Sequence, residues 1–95
     1  MASTIYLVTR GDDLGSSRSA NAGILEACRS GLLKNVSVMA CAPYAEEAAE
    51  LLRDAPGVCF GIHATFNAEW DFVRWGPVLP RELFITGITL GSVKE

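Results

Sequence analysis

The sequence predicts an α/β fold in which three parallel strands alternate with two helices. Short apolar, β-branched runs recur through residues 5–63, segments with helical spacing separate them, and turn-forming residues mark the boundaries. Strands joined by helical crossovers are expected to lie parallel in one sheet. Because the chain has 95 residues, we expect residues 1–95 to form one domain at most.

The first predicted strand is the apolar run at residues 5–8, which ends at a turn beginning with Gly11. A continuous apolar run of this length is typical of a strand buried on both faces of a parallel sheet. A serine-rich segment follows, and serine is a good N-cap residue. Apolar residues at helical spacing then predict a helix over residues 19–30, and Gly31 is well placed to end it.

A second helix and two further strands follow in alternation. Residues 35–41 form the second predicted strand, and Pro43 stands where the next helix would begin. That helix has alanines on one side and glutamates on the other, and its early glutamates suit the positive end of the helix dipole. Residues 58–63 form the third predicted strand, which ends at His63.

The periodic pattern ends after the third predicted strand. Residues 64–80 contain two tryptophans and two prolines without a steady period, which predicts a long loop. Loops of this length in a compact domain are usually functional. Residues 81–95 form a tail with a short apolar patch that could add one more strand.

Composition and charge exclude several classes of protein. The net charge of -3 leaves no basic surface for nucleic acid. The three cysteines are widely spaced and form no CxxC motif, which indicates free thiols in a reducing compartment. The N-terminal segment has too few apolar residues for a secretion signal or a membrane span. We therefore expect a cytoplasmic protein that has no membrane partner.

Two aspartates and the single histidine follow predicted strands. Asp12 and Asp13 come after the first strand, and His63 closes the third. The carboxyl ends of parallel strands meet at one edge, so these side chains are expected to converge. Adjacent carboxylates repel unless a cation lies near, and carboxylate with imidazole suits a divalent metal. Each residue also has a plain structural interpretation, as a helix-capping turn for the aspartates or a hydrogen-bonded core residue for His63.

The predicted loop contains further candidates for binding a substrate. The rings of Trp70 and Trp75 could stack on sugars, and Arg74 could hydrogen-bond a hydroxyl group. The alternative is that both rings attach the loop to the body of the domain.

Taken together, the motifs resemble the start of a YdjC-type carbohydrate deacetylase, of the chitooligosaccharide deacetylase group. The resemblance extends from about residue 5 to about residue 80, and the tail at residues 81–95 diverges from the family. The matching segments are Gly11-Asp12-Asp13-Leu14-Gly15, Ser19-x-Asn21-x-Gly23-Ile24, Gly31-Leu32, Val36-Ser37-Val38-Met39 and Gly61-Ile62-His63. This resemblance implies a (β/α) barrel-like fold, of which the chain has the first three strands. It also implies deacetylation of N-acetylated amino sugars or oligosaccharides.

The resemblance implies roles for three residues. Asp12 matches the catalytic base of the family, and Asp13 and His63 match two of its metal ligands. The third ligand, a second histidine, and the catalytic acid lie in later segments of the family that have no counterpart here. We therefore expect a hydrolase with a divalent metal, Mg²⁺ or Zn²⁺, and a carbohydrate substrate, but with impaired activity in this chain.

Two other interpretations stay open at the level of sequence. The chain could be a non-catalytic truncated fragment or a self-associating module, because an open three-stranded sheet has bare edges and an uncovered face that a homodimer or higher oligomer would cover. A receiver-like signalling domain also has an acidic pair after its first strand. Such a domain needs an aspartate where this chain has His63. It also needs a lysine after a later strand, and the only late lysine of this chain is Lys94.

Overall fold

Three parallel strands and two helices alternate along the chain in the computed structural model. The structure describes residues 3–53, 55, 57–66, 68, 71, 74–76 and 78. The elements are β1 (Arg10–Leu14), α1 (Arg18–Arg29), β2 (Asn35–Val38), α2 (Ala45–Leu52) and β3 (Cys59–Ile62). The strands pair in parallel in the order β1-β2-β3, which confirms the predicted parallel α/β arrangement. The receiver-like alternative is wrong, because receiver-type sheets place the first strand between the second and the third.

The first strand lies later in the chain than predicted. Strand β1 starts at Arg10, and the four apolar side chains of residues 5–8 are between 81% and 89% exposed. Pairing begins where Arg10 meets Asn35, the first residue of β2, so residues 5–8 have no strand beside them among the described residues. The Thr9 hydroxyl donates instead to the Leu32 carbonyl at 2.6 Å. Apolar composition indicates a preference for burial, but only a neighbouring strand can provide the pairing.

Helix α1 forms where the sequence predicts it. The Ser17 hydroxyl accepts a hydrogen bond from the Ala20 N–H at 3.1 Å, which caps the first turn. After the helix, Gly31 has a φ of +83°, a left-handed conformation that glycine adopts at little cost. The predicted bounds, residues 19–30, differ from the observed ones by one residue at each end.

Strand β1 contains a bulge of one residue. Gly11 pairs with Val36 and Leu14 with Val38, so β1 advances from residue 11 to 14 while β2 advances from 36 to 38. The extra residue allows Gly11 and Leu14 to point to the same face of the sheet. Asp13, inside the bulge, has a φ of +65°.

The two faces of the sheet are covered differently. Helices α1 and α2 pack on the helix-covered face and bury an apolar core formed by Leu14, Ile24, Val36, Ala48 and Leu52. Alternation along each strand places a second set of residues on the opposite, helix-free face. That set is Arg10, Asp12, Asn35, Ser37, Cys59 and Gly61. These residues line an open groove of about 630 Å³.

A second apolar cluster lies past the carboxyl end of β2. It consists of Met39, Ala42, Ala68 and Trp75. Because Ala68 and Trp75 come after β3, this cluster attaches part of the predicted loop at residues 64–80 to the β2–α2 connection. The described residues of that loop belong to no helix or strand, and the predicted tail at residues 81–95 lies outside the described residues. Neither described helix has the length and apolar character needed to cross a bilayer.

Candidate functional site

Asp13 and His63 come together at the carboxyl edge of the sheet. Asp13 Oδ1 lies 3.1 Å from His63 Nε2, and both side chains are about one third exposed. The His63 backbone N–H donates to the Val38 carbonyl at 2.9 Å, which continues the β2–β3 pairing one residue past β3 and holds the imidazole near β1. The structure thus joins two of the three side chains that the sequence places at this edge.

A threonine orients the His63 ring. The Thr65 hydroxyl donates its proton to the His63 carbonyl at 2.8 Å, and its oxygen lies 3.2 Å from His63 Nδ1. Because a hydroxyl has only one proton, we assign the ring proton to Nδ1, which then donates to Thr65. In the neutral ring, Nε2 then has a lone pair that faces the Asp13 carboxylate. Two acceptor atoms at this distance attract each other only when a proton or a cation lies between them.

The spacing of this pair fits a metal ion. Two ligand atoms each about 2.1 Å from a metal, at tetrahedral or octahedral angles, lie roughly 3.0–3.4 Å apart. The observed separation of 3.1 Å lies within that range. Within the described part of the chain, no group of three His, Cys, Asp or Glu side chains could hold one ion. The described residues therefore offer a metal ion one carboxylate and one imidazole at this position.

Asp12 is held apart from this pair by two other side chains. The Ser37 hydroxyl donates to Asp12 Oδ1 at 2.6 Å. The Arg10 guanidinium contacts both carboxylate oxygens, with Nε 2.8 Å from Oδ1 and Nη2 3.1 Å from Oδ2. The Ser37 hydrogen bond, and then the Arg10 contacts, hold the pKa of the Asp12 carboxyl below its ordinary value. Asp12 is thus an ionised acceptor at the helix-free groove.

The bulge explains why two consecutive aspartates contact different partners. Adjacent residues of a regular strand point to opposite faces, and Asp13 would then point into the helix-covered core. Its left-handed backbone, which aspartate tolerates better than most residues, turns its side chain toward the strand end instead. The next turn needs Gly15, whose φ is +98° and where an added Cβ would lie 3.0 Å from the Ala45 Cα atom.

Asn21 supports this turn from inside helix α1. Its side chain is fully buried, with Oδ1 accepting from the Gly15 N–H at 2.8 Å and Nδ2 donating to the Tyr44 carbonyl at 3.1 Å. The Tyr44 N–H in turn donates to the Gly15 carbonyl at 2.9 Å. No motif in the sequence points to a separate role for Asn21 or for Ser37. A polar residue at an inward position of a helix or strand is the signal that indicates such roles.

The three candidates on the loop have different outcomes. Trp75 is 6% exposed and packs in the second apolar cluster, so its burial favours the packing interpretation. Arg74 is exposed. Trp70 lies outside the described residues, and its sugar-binding role stays a prediction.

Comparisons with known proteins identify relatives of this chain. The model of the YdjC-like protein family matches residues 6–88. A carbohydrate deacetylase from Thermoanaerobacter pseudethanolicus is 38% identical over 63 residues, which are 66% of this chain and 25% of that protein. A chitooligosaccharide deacetylase from Escherichia fergusonii is 39% identical over 57 residues, 60% of this chain and 23% of that protein. The chain therefore spans about a quarter of the length of the curated relatives it matches.

A solved structure is also similar to this chain. It is from Enterococcus faecalis V583 and is provisionally named a cellobiose-phosphate cleavage protein. The two superimpose with a TM-score of 0.68 at 30% sequence identity, over 80% of this chain and 28% of the other. The family resemblance inferred from the motifs is thus confirmed.

Proposed function

Since this chain belongs to the YdjC-like protein family, we propose that it carries the base and two metal ligands of a carbohydrate deacetylase site. Asp13 and His63 would bind a divalent cation, Mg²⁺ or Zn²⁺, and Asp12 would act as the general base. The 3.1 Å approach of Asp13 Oδ1 to His63 Nε2 carries this proposal, because two acceptor atoms so close need a proton or a cation between them, and the spacing suits two ligands of one metal ion. The deacetylases among the relatives support deacetylation at the level of the family.

The proposal extends to the architecture of the whole fold. The order β1-β2-β3 is sequential, as in a (β/α) barrel, where each strand neighbours the next. Functional groups of such barrels lie at the carboxyl ends of the strands, where Asp13 and His63 lie. We propose that this chain corresponds to the first three strands of a barrel-like deacetylase fold.

The proposed substrate is an N-acetylated amino sugar or its oligosaccharide. When bound, the cation would supply Lewis-acid polarisation of the amide carbonyl. Asp12 is ionised and faces the open groove, so it can accept a proton from the water that attacks the amide. With Thr65 accepting from Nδ1, the Nε2 atom of His63 would be the one available to hold the cation.

Metal binding tests this proposal directly. Titration calorimetry with Mn²⁺ and Zn²⁺ is expected to show one bound ion per chain. Asp13→Asn should weaken that binding at least tenfold, about 1.4 kcal/mol, because it removes the charge and keeps a residue that tolerates a left-handed backbone. Glu46→Gln, an exposed acid on α2, is the matched control and should leave the affinity unchanged. Absence of binding by the unsubstituted chain, or full affinity in Asp13→Asn, would contradict the proposed site.

Activity and association need separate measurements. A catalytic zinc site normally has three protein ligands, and two are assigned here, so we expect the 95-residue chain to deacetylate N-acetylated chitobiose slowly. Turnover of about 1 per second or faster would contradict that expectation. Asp12→Asn should remove the activity that is present.

The alternative of a self-associating module stays a prediction, which sedimentation velocity at rising protein concentration can test.

A further inference from the structure

We propose that Ser37 is a positioning residue that holds Asp12 away from a cation bound by Asp13 and His63. The role of Asp12 as a base rests on the function proposed above. The placement of Asp12 rests only on contacts within the described residues.

Ser37 is fixed in the centre of the sheet. It lies on β2 between two paired valines, and the strand is bonded on both sides, with Ser37 itself opposite Gly61 of β3. The residue is 9% exposed. Its single hydroxyl proton goes to Asp12 Oδ1 at 2.6 Å, a short bond of the kind made to charged acceptors. The Asp12 side chain is therefore hydrogen-bonded to the central strand of the sheet.

Arg10 is the weaker of the two partners of Asp12. Its side chain is 64% exposed, and ion pairs in such surroundings are screened by water and contribute little. A long guanidinium side chain can also follow a carboxylate that moves. The serine, with one short side chain on a paired strand, cannot. We therefore assign the orientation of Asp12 to Ser37.

This contact separates the tasks of two neighbouring carboxylates. Asp12 and Asp13 are consecutive, and both would be attracted to a divalent cation at the strand ends. Ser37 draws Asp12 to the helix-free face, whereas the bulge turns Asp13 toward His63. Gly61, opposite Ser37, has no side chain to fill the groove, so Asp12 stays open to a substrate. One carboxylate is thus reserved for the cation and the other for proton transfer.

The first test measures the orientation of Asp12 without a metal. Three-bond NMR couplings to its Cγ atom report whether the side chain occupies one rotamer in the 95-residue chain. We expect a single rotamer in the unsubstituted chain and in Ser37→Thr, which keeps the hydroxyl, and averaged couplings in Ser37→Ala. If Ser37→Ala does not fold, Ser37→Cys keeps a similar volume and weakens the donor. An unchanged single rotamer in a folded Ser37→Ala or Ser37→Cys chain would overturn the proposal.

The second test reads the ligands of the cation. Co²⁺ bound at the proposed site has visible absorption bands that depend on its coordination. Ser37→Ala should shift these bands because Asp12 is free to become a ligand, and the double variant with Asp12→Asn should restore them. Bands that do not shift in Ser37→Ala would overturn the exclusion of Asp12 from the cation. Failure of the unsubstituted chain to bind Co²⁺ would count against the proposed metal site, whereas the rotamer result would stand independently.

Discussion

The two faces of the sheet contain residues from the same three strands but serve different purposes. On the helix-covered face, Leu14 and Val36 are each 1% exposed beneath α1 and α2. On the helix-free face, Asp12 and Ser37 form a hydrogen bond beside an open groove. The first face is closed by apolar burial, and the second is organised by polar contacts and remains accessible.

The difference depends on a single inserted residue in β1. Without the extra residue, Leu14 would point to the helix-free face and leave a gap in the core. With it, Leu14 returns to the core and Asp13 is left at the strand end beside His63. The same bulge therefore completes the apolar core of one face and places Asp13 beside His63 at the carboxyl edge of the sheet.

The largest expected effect is on the helix-covered face. Leu14→Ala should lower the free energy of unfolding by about 3 kcal/mol, because it opens a cavity in a packed core. Leu32→Ala removes the same atoms from a side chain that is 63% exposed, and it should change stability by at most about 0.5 kcal/mol. Urea denaturation compares the two variants. Equal losses would show that the core near Leu14 is not packed as described.

A smaller effect is expected where the turn after β1 meets helix α1. Asn21→Leu keeps a similar volume but leaves the Gly15 N–H and the Tyr44 carbonyl without this partner, which should cost about 2 kcal/mol. Asn21→Asp keeps the acceptor for the Gly15 N–H and should lower the free energy of unfolding by less. Urea denaturation measures both variants. If Asn21→Leu is as stable as the unsubstituted chain, Asn21 does not stabilise the turn.

The bulge itself can be tested at Asp13 with a pair of variants. Asp13→Ala and Asp13→Gly both remove the carboxylate, so their difference reports only on the backbone. Since the φ of residue 13 is +65°, the glycine variant should be more stable than the alanine variant by about 1 kcal/mol. Thermal unfolding of both proteins measures this difference. Equal stabilities would mean that the strand relaxes to a regular conformation.

The smallest expected effect concerns pH. The pKa of Asp12 is lowered in the folded chain by Ser37 and then by Arg10, so its contribution to stability is present above the ordinary carboxyl pKa, about 3.9. That contribution should be lost as the pH falls through the lowered value. Asp12→Asn should flatten the acid limb of a stability profile from about pH 5 downward, whereas Glu46→Gln should not. Parallel profiles for Asp12→Asn and the unsubstituted chain would contradict the assigned contacts.

Much of the fold could be predicted because its signals are local. The α1 bounds follow from helical spacing and a serine cap, and the position of His63 follows from the end of an apolar run. The apolar pattern predicts the first strand too early, because residues 5–8 are the most apolar segment there, while the partner strand begins only at Asn35. The packing of Trp75 against Met39 likewise depends on a contact across the fold.

The amino-acid sequence alone is enough to predict the parallel alternation of strands and helices, the family, and the edge at which Asp13 and His63 meet. These features depend on residue type and periodicity, which are read along the chain. The folded chain is needed to see the register of β1 against β2, the bulge at Asp13 and the hydrogen bond from Ser37 to Asp12. Each of these depends on which atoms face each other across neighbouring strands, and spacing along one strand does not contain that information.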